Sequence, residues 1–236
     1  KIRKYLIERI DKDRLFSRIG TQIHSLFDNK IHIAGLGSIG SHLAMSLSKS
    51  GFSNFILVDN ENLDTGNIAR HLCGFSYINK SKAGGVSNVL GQHFPFIHAT
   101  PIKMDILKVI SDDQNSIKDS ALHIICIGNT NIELVIDKFL IGNLLFLWVE
   151  PFSFICHGVY IPKQSKIRFK DFFTTDFRYK FQGILASEKY LKREAGCQNT
   201  FMPYSYNSFE IFIALVSNQV RIILENPSNL KAFTWI

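Results

Sequence analysis

"IHIAGLGSIGSHLAMSLSKSGFSNFILVD", residues 31–59, decides the fold. Its first four residues are a short isoleucine-rich run closed by Gly35, Gly37 and Gly40, and they read as a strand. The following "SHLAMSLSKS" puts Leu and Ala at helix-forming positions and stops at Gly51. "NFILVD" is a second strand that ends on Asp59. Strand, glycine turn, helix and strand make a βαβ unit, which forces a parallel pair with a crossover. In that context G-x-G-x-x-G is a nucleotide-binding pattern. The glycines let backbone amides at a helix N-terminus approach a phosphate, and Asp59 is placed to accept from ribose hydroxyls. The competing explanation is that the glycines only permit close packing of helix on sheet.

Working outward, Leu15, Phe16, Ile19, Ile23, Leu26 and Phe27 recur at helical spacing and predict an amphipathic helix before the first strand. "KAGGVSNVLGQHF" reads as a helix, "FIHATPIKM" as extended, "ALHIICIGN" as a buried strand, "IELVIDKFLI" as a helix and "LLFLWVE" as another buried strand. This alternation predicts an α/β fold: a doubly wound, mostly parallel Rossmann-like sheet flanked by helices, with an irregular C-terminal third. In that third, "GVYIP" and "KIRF" are expected as antiparallel strands, and "SFEIFIALVSNQVRIILE" as one long helix. The expected organisation is a single domain over 1–236: an N-terminal helical segment (1–28), a nucleotide-binding core (29–150) and a C-terminal extension (151–236). A start on Lys1 and an end on "NLKAFTWI" are expected of a piece of a longer polypeptide.

Composition narrows the function classes. With 46% hydrophobic and 20% charged residues, the chain can fold into a core rather than stay disordered. The net charge of +7 is scattered, apart from a loose group at Lys163, Lys166, Arg168 and Lys170. That pattern fits a solvated face or a polyanionic substrate and argues against a nucleic-acid surface. Cys73, Cys126, Cys156 and Cys197 form no C-x-x-C pair, so neither a disulfide scaffold nor a zinc ribbon is signalled, and free thiols in a cytoplasmic protein are expected. The strongest apolar run, "LLFLWVEPFSFIC", is broken by Glu150 and Pro151, which argues against a membrane span.

Past Asp59, the chain continues to Asn67, Arg70 and, further on, Lys82, a set that a nicotinamide enzyme does not need and a triphosphate does. Here the sequence resembles a known family. "GLGSIGSHLAMSLSKSGFSNFILVDNENLDTGNIARH", followed by "NKSKAG", is similar to the ThiF/MoeB family, the adenylating domain shared with ubiquitin-activating enzymes. The resemblance runs over roughly residues 15 to 160, and N-x-x-R-H with Gly74 is closest to bacterial members, including those encoded in antiphage conjugation operons. It implies ATP-dependent activation of the C-terminal carboxylate of a ubiquitin-like protein or peptide. Cationic and hydrogen-bonding groups must then absorb charge on the departing pyrophosphate. Arg70 and Lys82 suit that role, and Asn67 donates without adding charge. Lys82 is preferred over Lys80 because the alanine after it matches the family's helix start. Each cation alone also reads as a surface residue. His71, beside Arg70, is placed to touch the nucleotide, and Arg9, Arg14 and Arg18 lie in a segment from which some family members send an arginine to a partner's site.

The resemblance implies further features. Where the family has an aspartate that helps hold magnesium, this chain has Asn129, which brings no charge. The chain is then a weakened enzyme, an enzyme that uses another carboxylate, or one whose aspartate was replaced. Cys197 lies where thioester-forming members carry their cysteine, and it reads equally as packing. A homodimer and a conjugating-enzyme-like partner complete the expectation, the dimer also because the last helix looks more apolar than a sheet edge requires. The alternatives are a nucleotide- or partner-binding module of the same fold and an NAD(P)-dependent oxidoreductase.

Overall fold

The computed structural model describes residues 7–18, 25–184 and 206–236, together with 187–190, 192–193, 200–201 and 203. The apolar runs form strands β1 (Lys30–Ala34), β2 (Asn54–Val58), β3 (His98–Ile102), β4 (Leu122–Ile125), β5 (Leu144–Val149) and β6 (Cys156–Ile161). Two short strands, β7 (Lys192–Arg193) and β8 (Thr200–Phe201), pair only with each other. β9 (Lys231–Trp235) closes the main sheet, whose order is β3-β2-β1-β4-β5-β6-β9. The first five are parallel and the last two antiparallel. Strands covered on both faces need no polar alternation, and β4 accordingly reads Leu-His-Ile-Ile with every residue buried. Pro101 sits on β3, where a missing amide leaves only an edge unpaired.

Helices cover both faces. α2 (Ser38–Lys49), α3 (Lys82–His93) and α6 (Tyr206–Glu225) share one core with Ile31, Ile33 and Phe55. α4 (Ile106–Asp112) and α5 (Thr130–Phe139) share the other with Ile125, Phe146 and Phe169. Gly51, at φ +110°, ends α2 in a conformation that side chains rarely adopt. α6 buries Phe209, Phe212, Val216 and Val220, so the apolar face that suggested a dimer is largely taken up inside the chain. Among the described residues no helix is long and apolar enough to cross a membrane.

The doubly wound prediction holds, with corrections in detail. "KIRF" is not a strand. The Arg168 amide donates to Asp171 Oδ2 (2.8 Å) and starts a 3-10 helix at Phe169–Phe172, while the buried Phe169 ring stacks on Phe146 at 4.0 Å. Packing of that one ring overrides the alternation. The N-terminal helix is described only as α1 (Lys12–Phe16), capped by the Asp11 side chain, and as a 3-10 turn at Ser25–Asp28. Ile19 and Ile23 lie outside the described residues. α4 and β9 were not expected. The antiparallel strand expected at "GVYIP" falls on β6, and β9 adds a further strand beside it at the edge of the main sheet.

Register places His32 of β1 opposite His123 of β4, fully buried, with their Nδ1 atoms 3.0 Å apart. One ring must donate and the other accept, so the two cannot both be protonated. Burial holds both below the usual histidine range, His123 at about 4. Unfolded histidine titrates near about 6.5, so between those values the unfolded chain binds more protons, and stability falls as pH is lowered. The slope is at most about 1.4 kcal/mol per pH unit for each histidine. Urea midpoints measured from pH 7 to pH 4.5 are expected to fall more steeply for the natural chain than for a His32→Leu/His123→Leu variant. Equal slopes would contradict a neutral buried pair.

Candidate functional site

At the C-terminal ends of β1, β2 and β4 lies a cavity of about 300 Å³, lined by Gly35, Gly37, Asp59, Glu61, Lys82 and Asp105 among others. The sheet order reverses between β1 and β4, and open α/β sheets bind ligands at such a switch point. Gly35 has φ +85°, and a Cβ there would lie 2.7 Å from the Cys126 carbonyl oxygen. A Cβ on Gly40 would lie 2.0 Å from the Gly35 carbonyl oxygen, so α2 can begin this close to β1 only with glycine at that position. A Cβ on Gly37 would meet nothing within 4 Å. Gly37 caps α2 with no side-chain hydrogen bond, so the positive end of a twelve-residue helix lies at the cavity wall. Packing thus explains Gly35 and Gly40; no neighbouring atom requires glycine at Gly37, which lines the cavity.

Asp59 ties this turn down. Its Oδ2 accepts from the Leu36 amide (2.7 Å) and its Oδ1 from the Glu61 amide (2.8 Å), leaving lone pairs for a further donor. Burial pushes its carboxyl above the usual range, opposed by those two amides and by Lys82. Lys82 is the first residue of α3, capped by Ser81, and is buried, with its ammonium paired to Glu61 Oε2. Glu61 itself is largely exposed. Lys80 is also exposed, its ammonium over the Tyr77 ring.

Asn67 and Arg70 are brought to each other rather than into the cavity lining. Both lie on a 3-10 helix at Thr65–Arg70, capped by Asp64, where Arg70 donates to Asn67 Oδ1 at 3.4 Å. The next residue connects that helix to the glycine turn. His71 Nδ1 accepts from the Cys73 amide (2.9 Å), so its Nε2 donates to the Leu36 carbonyl (2.7 Å). Burial lowers this imidazole to about 4, which keeps it neutral in that role. Of the N-terminal arginines, Arg9 pairs with Asp11 two residues away.

Asn129 is the N-cap of α5. Its Oδ1 accepts from the amides of Asn131 (3.1 Å) and Ile132 (3.3 Å), and it is not part of the cavity lining. Among the described residues, no group of three His, Cys, Asp or Glu side chains is placed to hold a metal. The residues present therefore do not build a magnesium site by themselves. Cys197 lies outside the described residues. Burial raises the thiols of Cys73 (to about 11), Cys156 (to about 12) and Cys126, so none of the three is a thiolate near neutral pH. Cys126 lines the cavity and is only half buried, whereas Cys73 and Cys156 are core.

Sequence reasoning missed Glu61 and Asp105 and left His71 as a nucleotide contact. Asp105 accepts from the Leu107 amide (2.8 Å) and caps α4; an aspartate before the apolar "ILKVI" is the signal that would have found both. Glu61, two residues past Asp59, carried no comparable signal.

Comparison with known proteins gives the family and the fold. The model of the ThiF family matches residues 10–151, more than half of the chain. The ubiquitin-like modifier-activating enzyme ATG7 of Candida glabrata is 35% identical over 95 residues, which cover 39% of this chain and 15% of that protein. Among solved structures, E. coli MccB with ATP has a TM-score of 0.65 at 15% identity, covering 89% of this chain and 64% of that one. PaaA has a TM-score of 0.63 at 16% identity, covering 89% and 61%. These two likenesses are of fold, and the chain spans less than two thirds of each relative's length.

The glycine assignments are separable. Gly37→Ala is expected to keep the urea midpoint of the natural chain and to weaken ATP binding by roughly tenfold or more, because its methyl group occupies ligand space. Gly40→Ala is expected to lose roughly 1–3 kcal/mol of stability through overpacking. Unchanged ATP affinity in Gly37→Ala, measured by calorimetry, would contradict the assignment.

Proposed function

The chain belongs to the ThiF family, and from that premise we propose that it binds ATP and adenylates the C-terminal carboxylate of a ubiquitin-like protein or peptide. The observation that carries the proposal is the convergence of the Asp59-held glycine turn and the buried ammonium of Lys82 on one cavity at the switch point of the sheet. Support comes from the ATG7 likeness, since that protein is an activating enzyme for ubiquitin-like modifiers, and from MccB, which has been solved with ATP and with its partner MccA.

The residues present fit the polyphosphate and ribose of ATP. The glycine turn and the α2 amides are suited to phosphate oxygens, and the remaining lone pairs of Asp59 to ribose hydroxyls. ATP supplies the electrophilic α-phosphorus. A carboxylate oxygen of the polypeptide bonds to it, the bond to the β-phosphate oxygen breaks, and pyrophosphate leaves. Lys82 stabilises charge growing on that leaving group in a site partly shielded from water, where one such donor is worth about 3 kcal/mol. In the ground state its charge is balanced by exposed Glu61. On the resemblance, Arg70, which meets Asn67 on the neighbouring 3-10 helix outside the cavity lining, supplies the second cation. On the resemblance alone, the proposal extends to onward transfer to Cys197, a homodimer and a conjugating-enzyme-like partner.

The engagement of Asn129 with two amides favours one second reading, a binding module of this fold that has lost turnover. Pyrophosphate exchange into ATP separates the two. The assay is run with magnesium and a pool of peptides with free C-termini, and again with the same pool amidated. Exchange is expected only with free carboxylates and is expected to fall about 100-fold in Lys82→Met. ATP binding without exchange, in both the natural chain and Asn129→Asp, would contradict adenylation and favour the module.

A further inference from the structure

On the far side of the loop after β4 lies a second cavity, of about 340 Å³. Cys126 and Ile127 of that loop and Ile132 of α5 line the nucleotide cavity, while Gly128 of the loop and Thr130 and Glu133 of α5 line this one. We infer that the second cavity binds an organic cation, a guanidinium or alkylammonium group. The inference rests on the adenylation reading only in assigning that cation to a side chain of the polypeptide being activated.

Three observations converge on a cation. The first is aromatic. Trp148 and Tyr179 stand nearly perpendicular (88°) with centroids 4.7 Å apart, and the Phe173 ring lies 5.8 Å from Tyr179. Ring faces carry negative charge density, and such boxes take ammonium and guanidinium groups. The second is acidic. Glu133 and Glu150 both line the cavity, only 3% and 6% exposed. Glu150 accepts from His157 Nε2 (2.6 Å) and from the amides of Gly183 (2.9 Å) and Ile184 (2.6 Å), and Glu133 accepts from the Gly128 amide (3.0 Å). His157, which burial holds below the usual histidine range, is the one ion-pair candidate for Glu150, and neither carboxylate meets a lysine or arginine among the described residues; buried carboxylates are costly without a counter-charge. The third is Tyr179 itself, 7% exposed, whose hydroxyl has no hydrogen-bond partner among the described residues. A guanidinium or ammonium N–H supplies a donor for that oxygen.

The mouth is marked by Phe177, whose φ of +57° is unusual for an aromatic residue and whose ring is 69% exposed. Strain of this kind collects at ligand clamps. Two carboxylates exclude an anion, and the donors do not form a metal cluster. Because one loop lines both cavities, a cation here lies within a few residues of a carboxylate reacting next door.

Calorimetry on the full chain with agmatine tests the site directly, with isopentanol as an uncharged control. Agmatine is expected to bind one equivalent and isopentanol not at all. Glu133→Gln keeps an acceptor for the Gly128 amide, removes the charge and is expected to weaken agmatine about tenfold or more. Tyr179→Phe is expected to weaken it with an unchanged near-UV circular dichroism spectrum. ATP affinity, measured on the same samples, should not move. In the exchange assay, peptides carrying arginine near the C-terminus should show a lower KM than norleucine analogues, and Glu133→Gln should abolish the difference. No agmatine binding by a chain that binds ATP would overturn the cation site. Agmatine binding without an arginine preference would overturn its assignment to the substrate and point to a free amine. Agmatine binding by a chain that binds no ATP would sustain the cation site while defeating the adenylation reading.

Discussion

Leu36 is held from three sides, and the nucleotide cavity depends on that restraint. Its amide donates to Asp59, its carbonyl accepts from His71, and its side chain is fully buried. Those contacts tie the end of β1 to the end of β2 and to the segment after the 3-10 helix that carries Asn67 and Arg70. With Leu36 fixed, the turn between Gly35 and Gly40 has one available path, and the first amides of α2 are aimed before any ligand arrives. Preorganised amides need no reorganisation when charge develops near them, which is why such turns suit phosphate chemistry. Removing either partner would leave a buried backbone group of Leu36 unsatisfied, at a cost of about 1–3 kcal/mol.

The charged groups around the cavity obey the same economy of pairing. Lys82 is buried but meets Glu61, which reaches solvent, and each Asp59 oxygen accepts from one amide. The neighbouring cavity breaks the pattern: Glu133 and Glu150 are buried and hydrogen-bonded, but no lysine or arginine neutralises them among the described residues. Burial raises Glu133 to about 7. A lysine balanced by an exposed glutamate in one cavity, beside two buried carboxylates met only by amides and His157 in the next, fits two kinds of ligand group, an anionic nucleotide and a cationic side chain.

Much of this was legible in the sequence where the constraint is local. The glycine turn, Asp59 and the βαβ unit follow from residues close together in the chain, and periodicity marked five parallel strands and the helices α2, α3, α5 and α6. What could not be read depended on contacts between distant segments. Phe169 stacks on Phe146 and turns a predicted strand into a 3-10 helix; β9 becomes a strand because β6 offers it an edge. His71 looked like a nucleotide contact because it follows Arg70, and its bond to Leu36 spans 35 residues. Asn129 read as a metal position through the resemblance, while the local geometry spends its oxygen on a helix cap.

The central claim is that the turn held by Leu36 receives a triphosphate rather than a dinucleotide. Calorimetric titration of the chain with ATP and, separately, with NAD tests this most directly. The account predicts one ATP site and no NAD binding over the same concentration range. Saturable binding of NAD with no binding of ATP would contradict it.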